Sequence, residues 1–438
     1  MILSKNNNDS RGYFDISLNL NVRGTPLSAT LQINEISNKL ISEGRKVYKL
    51  GLGQSPFPVP QMVVDELKVN AHQKDYLPVK GLYDLRSAVA DYHSRRNDIR
   101  RNAENVLIGP GSKELMFLLQ FVYYGDLVIP TPSWVSYAPQ AKFIGRNVDW
   151  LNTTEKNKWR IAPRDLENLC KRDSDKPRIV ILNYPSNPTG TTYTVNELKE
   201  LAEVAKKYRI ILLSDEIYGE LIFDGKHISI AKFYPEGTII SSGLSKWCGA
   251  GGWRLGTFTF PSSLNWLLEA MASMASETFT STSAPIQYAA VSAFRGGISI
   301  ERYLNNARRV LKSLGFSIHK KLDRVGISAP KPEGGFYLFC NFKKYEAKLK
   351  KIGITNSREL TNKLLEDTGV ALLPGSVFGR PENELTARLA YVDFDGSKAL
   401  AAAETLPPYK LPDNDFLNTN CSHIVEAVDL ICNWIKAQ

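Results

Sequence analysis

A lysine and an arginine stand together in a glycine-rich segment, SSGLSKWCGAGGWRLG, which runs from Ser241 to Gly256. The segment follows the apolar run Thr238 to Ile240, so Lys246 lies just beyond a predicted buried strand. A lysine in such a place can lose its proton by desolvation and attack a carbonyl carbon, giving a Schiff base. Arg254 offers a bidentate grip on a phosphate, and the glycines let the backbone approach a ligand. A salt-bridged structural lysine is the alternative for any single lysine, but it does not explain the whole set.

Polar side chains also follow two apolar runs, Ile179 to Leu182 and Ile210 to Leu213. The first run is followed by NYPSNPTG, where Asn187 can present both a donor and an acceptor to a ligand. Turn formation explains this motif about as well. The second run leads into Asp215 and, shortly after it, Tyr218. A carboxylate at the end of a buried strand is costly unless it is paired, so we expect a cationic or N–H partner for Asp215. A helix N-cap is the alternative for this aspartate.

Pyridoxal phosphate is the cofactor that uses all of these groups together. It has an aldehyde for a lysine, a pyridine nitrogen for a carboxylate, a phenolic oxygen for Asn and Tyr, and a phosphate for an Arg. With these motifs the chain resembles the class I/II aminotransferases, which are pyridoxal-phosphate enzymes of fold type I, and in particular their aspartate and aromatic branch. The resemblance runs from about residue 25 to the C-terminus and is carried by Gly243 to Gly256, with NPTG and DEIY in the family's order.

The resemblance implies a role for each of these residues. Lys246 would form the Schiff base with the cofactor and later carry the proton, and Asp215 would pair with the pyridinium. Asn187 and Tyr218 would hydrogen-bond the phenolic oxygen, and Arg254 would bind the phosphate.

Other motifs extend the implied cofactor site. GPGSKELMF resembles the family's turn into a helix, so the backbone of Ser112 and Lys113 would cradle the phosphate at a helix N-terminus. Trp134 in PSWVSY would stack on the pyridine ring, with an ordinary core position as the alternative. Many aspartate aminotransferases have a serine where this chain has Gly243, and Ser245 is the hydroxyl that we expect to compensate.

Three further matches concern the substrate and the assembly. Arg388 in TARLAYVDF would clamp the α-carboxylate, and the backbone of Gly53 in LGLGQSPF would meet the same group. Tyr76 in KDYLPVKG would reach the phosphate bound by a neighbouring subunit. The resemblance therefore implies a homodimer with shared active sites.

The positions of the motifs require an α/β fold. Continuous apolar runs, such as Ile179 to Leu182 and Ile210 to Leu213, predict strands buried on both faces in a mostly parallel central sheet flanked by helices. The segment between these two runs predicts a helix with a capping box of Thr194 and Glu197. Ligands bind beyond the carboxyl ends of such strands, where the candidate residues lie.

The two chain ends predict a smaller α+β domain. Helical patterns at Tyr303 to Leu314 and Ser357 to Thr368 surround strand-like runs at Gly335 to Asn341 and Ala387 to Val392. We predict three segments: an N-terminal arm with part of the small domain (1–60), the large cofactor-binding domain (61–305) and the small C-terminal domain (306–438). Residues 406–420 predict a surface excursion of unknown role before a last helix near 423–436.

Composition limits the partners and the compartment. The formal net charge is +10, but the basic residues are interleaved with acidic ones, so we expect no nucleic-acid partner. The opening MILSKNNNDSRGYF lacks the apolar core of a secretory signal, and no window is apolar enough for a membrane span. The five cysteines show neither metal-ligand spacing nor disulfide density, so we expect no metal and a cytoplasmic location.

Together these observations predict an aminotransferase that moves an amino group from an L-amino acid to a 2-oxo acid by a ping-pong mechanism. Aspartate or an aromatic amino acid is the expected donor. A C–S β-lyase on the same fold is the alternative, because its cofactor residues are nearly identical. The residue that reads the substrate side chain is not identifiable by motif, although Arg295 is one candidate.

Overall fold

The computed structural model describes residues 18–438, so the predictions made for the opening segment lie outside the described residues. Within that range the chain forms twelve strands: β1 (Tyr48–Lys49), β2 (Val106–Gly109), β3 (Asp126–Thr131), β4 (Val148–Asn152), β5 (Arg178–Asn183), β6 (Ile211–Asp215), β7 (Thr238–Gly243), β8 (Gly256–Thr259), β9 (Tyr337–Asn341), β10 (Val370–Ala371), β11 (Leu373–Pro374) and β12 (Thr386–Ala390).

The same residues form fifteen α-helices: α1 (Ala29–Ser42), α2 (Gln61–Asn70), α3 (Tyr83–Asn97), α4 (Ser112–Val122), α5 (Tyr137–Phe143), α6 (Pro163–Lys171), α7 (Val195–Lys207), α8 (Asn265–Thr278), α9 (Ala284–Arg295), α10 (Ile298–Arg324), α11 (Glu346–Lys351), α12 (Ser357–Thr368), α13 (Gly396–Glu404), α14 (Asn414–Asn420) and α15 (Ser422–Ala437). No helix within residues 18–438 is both long enough and apolar enough to cross a bilayer.

A seven-stranded sheet forms the centre of the large part of the molecule, in the order β2-β8-β7-β6-β5-β3-β4. The neighbours from β7 to β4 pair in parallel, whereas β8 is antiparallel to both of its neighbours. The predicted continuous apolar runs lie in β5, β6 and β7, and every residue of β6 and β7 is buried. The predicted fold class is therefore confirmed.

The unit β5-α7-β6 shows how the sequence builds this sheet. Thr194 caps α7 as predicted: the Glu197 amide donates to the threonine Oγ1 at 3.3 Å, and the Thr194 amide donates to the glutamate Oε2 at 2.7 Å. One face of the helix, which includes Leu198 and Leu201, is buried against the sheet. Because parallel strands require such a crossover, Asn183 and Asp215 end neighbouring strands at the same edge and pair in register.

Both chain ends contribute to the smaller α+β part. β1 pairs in parallel with β10, and β11, β12 and β9 form an antiparallel sheet in that order. The helices and strands predicted for this part are α10, α12, α15, β9 and β12. α10 runs through residue 305 without a break, so the predicted domain limit falls inside a helix, and the limits themselves stay predictions.

The segment 406–420 is only partly the surface excursion that we predicted. Residues 407–410 are exposed, but residues 414–420 form α14, which buries Leu417. Arg309 of α10 donates to the carbonyl oxygens of Pro407 at 2.7 Å and Lys410 at 3.0 Å. A buried arginine side chain therefore holds the exposed loop against the long helix.

Candidate active site

A cavity of about 560 Å³ lies beyond the carboxyl ends of β5, β6 and β7. Ten of the predicted site residues line it: Gly53, Ser112, Lys113, Trp134, Asn187, Asp215, Tyr218, Ser245, Lys246 and Arg254. Arg388 is buried next to them and reaches Asn187. Tyr76 is the exception, because it is 88% exposed and does not line the cavity. Arg295 lines a different cavity, near the start of α10.

Lys246 follows β7 and projects into the cavity. Its Nζ donates to the carbonyl oxygen of Gly53 at 2.6 Å. Burial lowers the pKa of Lys246 to about 8, with further contributions from the positive charge of Arg388, Arg254 and Lys113. A larger fraction of this amine is therefore neutral near pH 7 than for an ordinary lysine, as a nucleophile requires.

Asp215 ends β6 and is 3% exposed. Burial raises the pKa of its carboxyl group to about 6, although the hydroxyl of Tyr137 opposes this by donating to Oδ2 at 2.6 Å. We expected a cationic or N–H partner. The shortest hydrogen bond comes instead from a phenol, while the Ile217 amide supplies the expected N–H. Tyr137 was not among the predicted residues, and its only signal in the sequence is its position three residues after Trp134.

Tyr218 and Asn187 are both held by partners from the smaller part of the molecule. The Tyr218 hydroxyl lies 2.7 Å from the hydroxyl of Tyr337, and Asn187 Oδ1 accepts from Arg388 Nη1 at 3.0 Å. Nη2 of Arg388 donates to the carbonyl oxygen of Gly51. Tyr337 was also missed, because the sequence predicted only that its segment is a strand.

The N-terminus of α4 and Arg254 form one end of the cavity. The first amides of a helix lack partners within the helix and attract anions, and α4 begins at Ser112. The Arg254 guanidinium donates to the carbonyl oxygen of Gly251 at 2.8 Å. Lys113 Nζ lies 5.1 Å from the centre of a Trp134 ring, and burial together with the charge of Arg254 lowers the pKa of this lysine. This end of the cavity is suited to an anionic group.

Glycines make this end possible by close backbone approach. A Cβ on Gly256 would lie 2.1 Å from the amide nitrogen of Ser112. A Cβ on Gly243 would lie 2.7 Å from the carbonyl oxygen of Leu255. The packing of β7 against the loop before β8 therefore explains the glycine. Ser245 lines the cavity, but its compensating role stays a prediction.

The fold and the site together define an α/β protein whose cavity holds a buried lysine of lowered pKa, a buried carboxylate and, at one end, a cluster of cationic groups. Residues 45–396 match the family model described as aminotransferase class I and II, and the chain belongs to that family. It is 34% identical to an aspartate aminotransferase of Bacillus subtilis, with 83% of this chain and 91% of that protein covered. It is 31% identical to aromatic-amino-acid aminotransferase 2 of Thermococcus litoralis, with 79% and 87% covered.

Solved structures agree with this assignment. The aspartate aminotransferase of Thermus thermophilus with maleate superposes with a TM-score of 0.79 at 26% identity, covering 89% of this chain and 98% of that one. The aromatic aminotransferase of Pyrococcus horikoshii superposes with a TM-score of 0.75 at 28% identity, covering 92% and 99%.

Proposed function

We propose that this chain is a pyridoxal-phosphate-dependent aminotransferase that moves the amino group of an L-amino acid to a 2-oxo acid by a ping-pong mechanism. Aspartate or an aromatic amino acid is the expected donor. The observation that carries the proposal is a single cavity that holds Lys246, with a lowered pKa, together with the buried Asp215 and the N-terminus of α4. Nothing in the described site or in the comparisons favours the alternative C–S β-lyase.

The donor set of the cavity fits the cofactor group by group. Lys246 would take the aldehyde, and Asp215 would hold a proton on the pyridine nitrogen. Tyr218 and Asn187 would bind the phenolic oxygen, and Trp134 would lie on the face of the ring. Pyridoxal phosphate, when bound, supplies an electron sink for the negative charge that remains after a Cα proton leaves.

The phosphate would bind at the cationic end of the cavity. Arg254 would pair with it, and the first amides of α4, at Ser112 and Lys113, would donate to it. The close contact between Gly256 and Ser112 supports this role, because only a glycine lets β8 lie so near the helix N-terminus.

The residues of the chain would divide the remaining work between proton transfer and substrate binding. Lys246 Nζ would accept the Cα proton and give it up again, and the lowering of its pKa by burial favours the neutral amine that the first of these transfers needs. The hydrogen bond from Tyr137 helps Asp215 to remain ionised. Arg388, with the backbone of Gly53 and the side chain of Asn187, would hold the substrate carboxylate and orient the bond that breaks.

The decisive experiment is a panel of amino donors with 2-oxoglutarate, using the purified chain loaded with pyridoxal phosphate. We expect amino transfer from aspartate or aromatic donors, and we expect Lys246→Ala to abolish both the transfer and the visible absorption band of the bound cofactor. Lys320→Ala, which changes an exposed lysine, is the matched control and should behave as wild type. Absence of transfer from every donor, or release of ammonia, thiol and pyruvate from an S-substituted cysteine, would contradict the proposal.

We also propose a homodimer with shared active sites and a cytoplasmic location. The exposure of Tyr76, which lies between α2 and α3 and outside the cavity of its own chain, supports the shared site. The five cysteines are all unpaired and buried, which supports a reducing compartment.

A further inference from the structure

Tyr337 begins β9 and lies where the cofactor side and the substrate side of the site meet. It is 1% exposed. Its hydroxyl oxygen lies 2.7 Å from that of Tyr218 and 3.5 Å from the carbonyl oxygen of Gly53. The Arg388 guanidinium carbon lies 4.8 Å from the centre of its ring. One side chain therefore contacts both the residue proposed for the phenolic oxygen and the residue proposed for the substrate carboxylate.

The two phenols share one short hydrogen bond, in which either oxygen can be the donor. Burial raises the pKa of both Tyr218 and Tyr337, so both hydroxyls keep their hydrogens. Lys246 already donates to the Gly53 carbonyl at 2.6 Å, whereas Tyr337 is at the long limit of 3.5 Å from it. The short contact with Tyr218 is therefore the main hydrogen bond of the Tyr337 hydroxyl, and it fixes where the Tyr218 hydroxyl lies.

The backbone packs closely around the Tyr337 hydroxyl. A Cβ on Gly53 would lie only 2.0 Å from it. Only a glycine at position 53 therefore leaves room for this hydroxyl.

The ring of Tyr337 constrains Arg388. Arg388 on β12 pairs in register with Phe339 on β9, and Tyr337 lies two residues from Phe339, on the same face of the strand. The guanidinium carbon lies 4.8 Å from the Tyr337 ring centre and 5.1 Å from that of Phe378. The two rings hold the plane of the guanidinium, whose Nη1 and Nη2 donate to Asn187 and Gly51 while its buried Nε has no partner among the described residues and is left for a carboxylate.

We propose that Tyr337 is a positioning residue with two separable parts. Its hydroxyl fixes the position of the Tyr218 hydroxyl beside the phenolic oxygen of the cofactor, and its ring fixes the plane in which Arg388 receives the substrate carboxylate. This inference rests on the proposed function. Tyr337 would connect the cofactor side of the site with the substrate side. It would act through Tyr218 and Arg388 and would contact neither ligand itself.

Two substitutions separate the parts. Tyr337→Phe removes the hydroxyl and keeps the ring, whereas Tyr337→Leu removes both. Tyr391→Phe is the matched control, because Tyr391 is equally buried and its one hydrogen bond within residues 18–438 is the long contact with the carbonyl oxygen of Gly335, at 3.5 Å. The readouts are the affinity of the apoprotein for pyridoxal phosphate, the pH titration of the bound cofactor's visible absorbance, the binding of unreactive succinate, and the separate values of kcat and KM.

For Tyr337→Phe we expect cofactor affinity and kcat each to fall about tenfold, the effect of one hydrogen bond. The midpoint of the absorbance titration should move to higher pH, because the hydrogen bond from Tyr218 to the phenolic oxygen is weaker. More negative charge then stays on that oxygen, and it favours the protonated form of the cofactor. KM and succinate binding should stay within about threefold of wild type, since the ring remains. Tyr337→Leu should in addition weaken succinate binding and raise KM about tenfold, the order expected when a cation loses an aromatic face.

Each outcome decides one part of the proposal. A Tyr337→Phe protein that matches wild type in cofactor affinity and absorbance titration overturns the role of the hydroxyl. Succinate binding unchanged in Tyr337→Leu overturns the role of the ring. Should that variant not fold, Tyr337→Met fills a similar volume without a ring and tests the same step. If the wild-type chain transfers no amino group, the proposed function fails, but the cofactor and succinate affinities still test Tyr337.

Discussion

At the scale of single residues, the site brings the pKa values of a lysine and an aspartate toward neutrality from opposite sides. Burial lowers the pKa of Lys246 to about 8 and raises the pKa of Asp215 to about 6. Both shifts disfavour the charged form in the protein without its cofactor. A cofactor that accepts the lysine as a neutral amine and pairs the aspartate with a pyridinium would relieve both costs.

Asp215→Asn tests both the free-energy cost of burying an ionised carboxylate here and the proposed pairing of this carboxylate with the pyridine nitrogen. Since the carboxyl pKa is about 6 in the folded chain against 3.8 as the ordinary value, the penalty is absent below pH 3.8, grows as the pH rises, and is complete above pH 6. The unfolding free energy of the variant relative to wild type, both without cofactor, should therefore rise by about 2 kcal/mol between pH 4 and pH 7. Denaturant titrations at several pH values measure this difference.

The same variant should lose most of its turnover, because an amide cannot hold the pyridine nitrogen protonated. The control Asp175→Asn changes an aspartate whose side chain is 86% exposed and should keep wild-type turnover. Near wild-type turnover in Asp215→Asn, or a pH-independent stability difference, would contradict the role that we give to this carboxylate.

At the scale of elements, the anion-binding end depends on how closely β8 approaches the N-terminus of α4. In Gly256→Ala the new Cβ would lie 2.1 Å from the Ser112 amide nitrogen, so the strand and the helix must separate. We expect a loss of about 1–3 kcal/mol in stability and weaker binding of pyridoxal phosphate and of inorganic phosphate, measured by calorimetry on the apoprotein. Gly252→Ala is the control, since no atom lies within 4 Å of its added Cβ. Equal phosphate affinity in the two variants would show that this approach does not form the phosphate site.

The elements also show which features the sequence could predict. Continuous apolar runs predicted β5, β6 and β7, and the residues directly after these strands line the cavity, because parallel strands end at a common edge. Tyr137 and Tyr337 were not predicted, because their roles depend on contacts across the fold. A tyrosine at the start of a helix or a strand is ordinary in sequence, and only the structure brings these two to Asp215 and Tyr218.

At the scale of the whole molecule, the proposed dimer leads to a prediction that is tested by combining two different subunits. Tyr76→Phe should weaken cofactor retention by roughly 1.5–3 kcal/mol, as for a hydrogen bond to a charged group, and should leave dimerisation intact. The discriminating sample is a hybrid of wild type with a Tyr76→Phe, Lys246→Ala double variant. In this hybrid the only site that has a lysine receives a phenylalanine from its partner, so it should bind cofactor as weakly as the Tyr76→Phe dimer. Wild-type retention in the hybrid would show that Tyr76 does not serve the neighbouring subunit.

The pairing of β1 with β10 has a consequence for the order in which the chain folds during synthesis. Tyr48 leaves the ribosome long before its partner Val370, and at 5–20 residues per second the chain between them takes roughly 16–64 s to make. Strands β2 to β8 can form the central sheet during this interval, whereas β1 and the residues after it remain unpaired. The backbone of Gly53, which lies just after β1, therefore reaches the cavity only after β10 (Val370–Ala371) has been translated. A ribosome-bound chain that stops before β10 should resist proteolysis in its central sheet and be cut near β1.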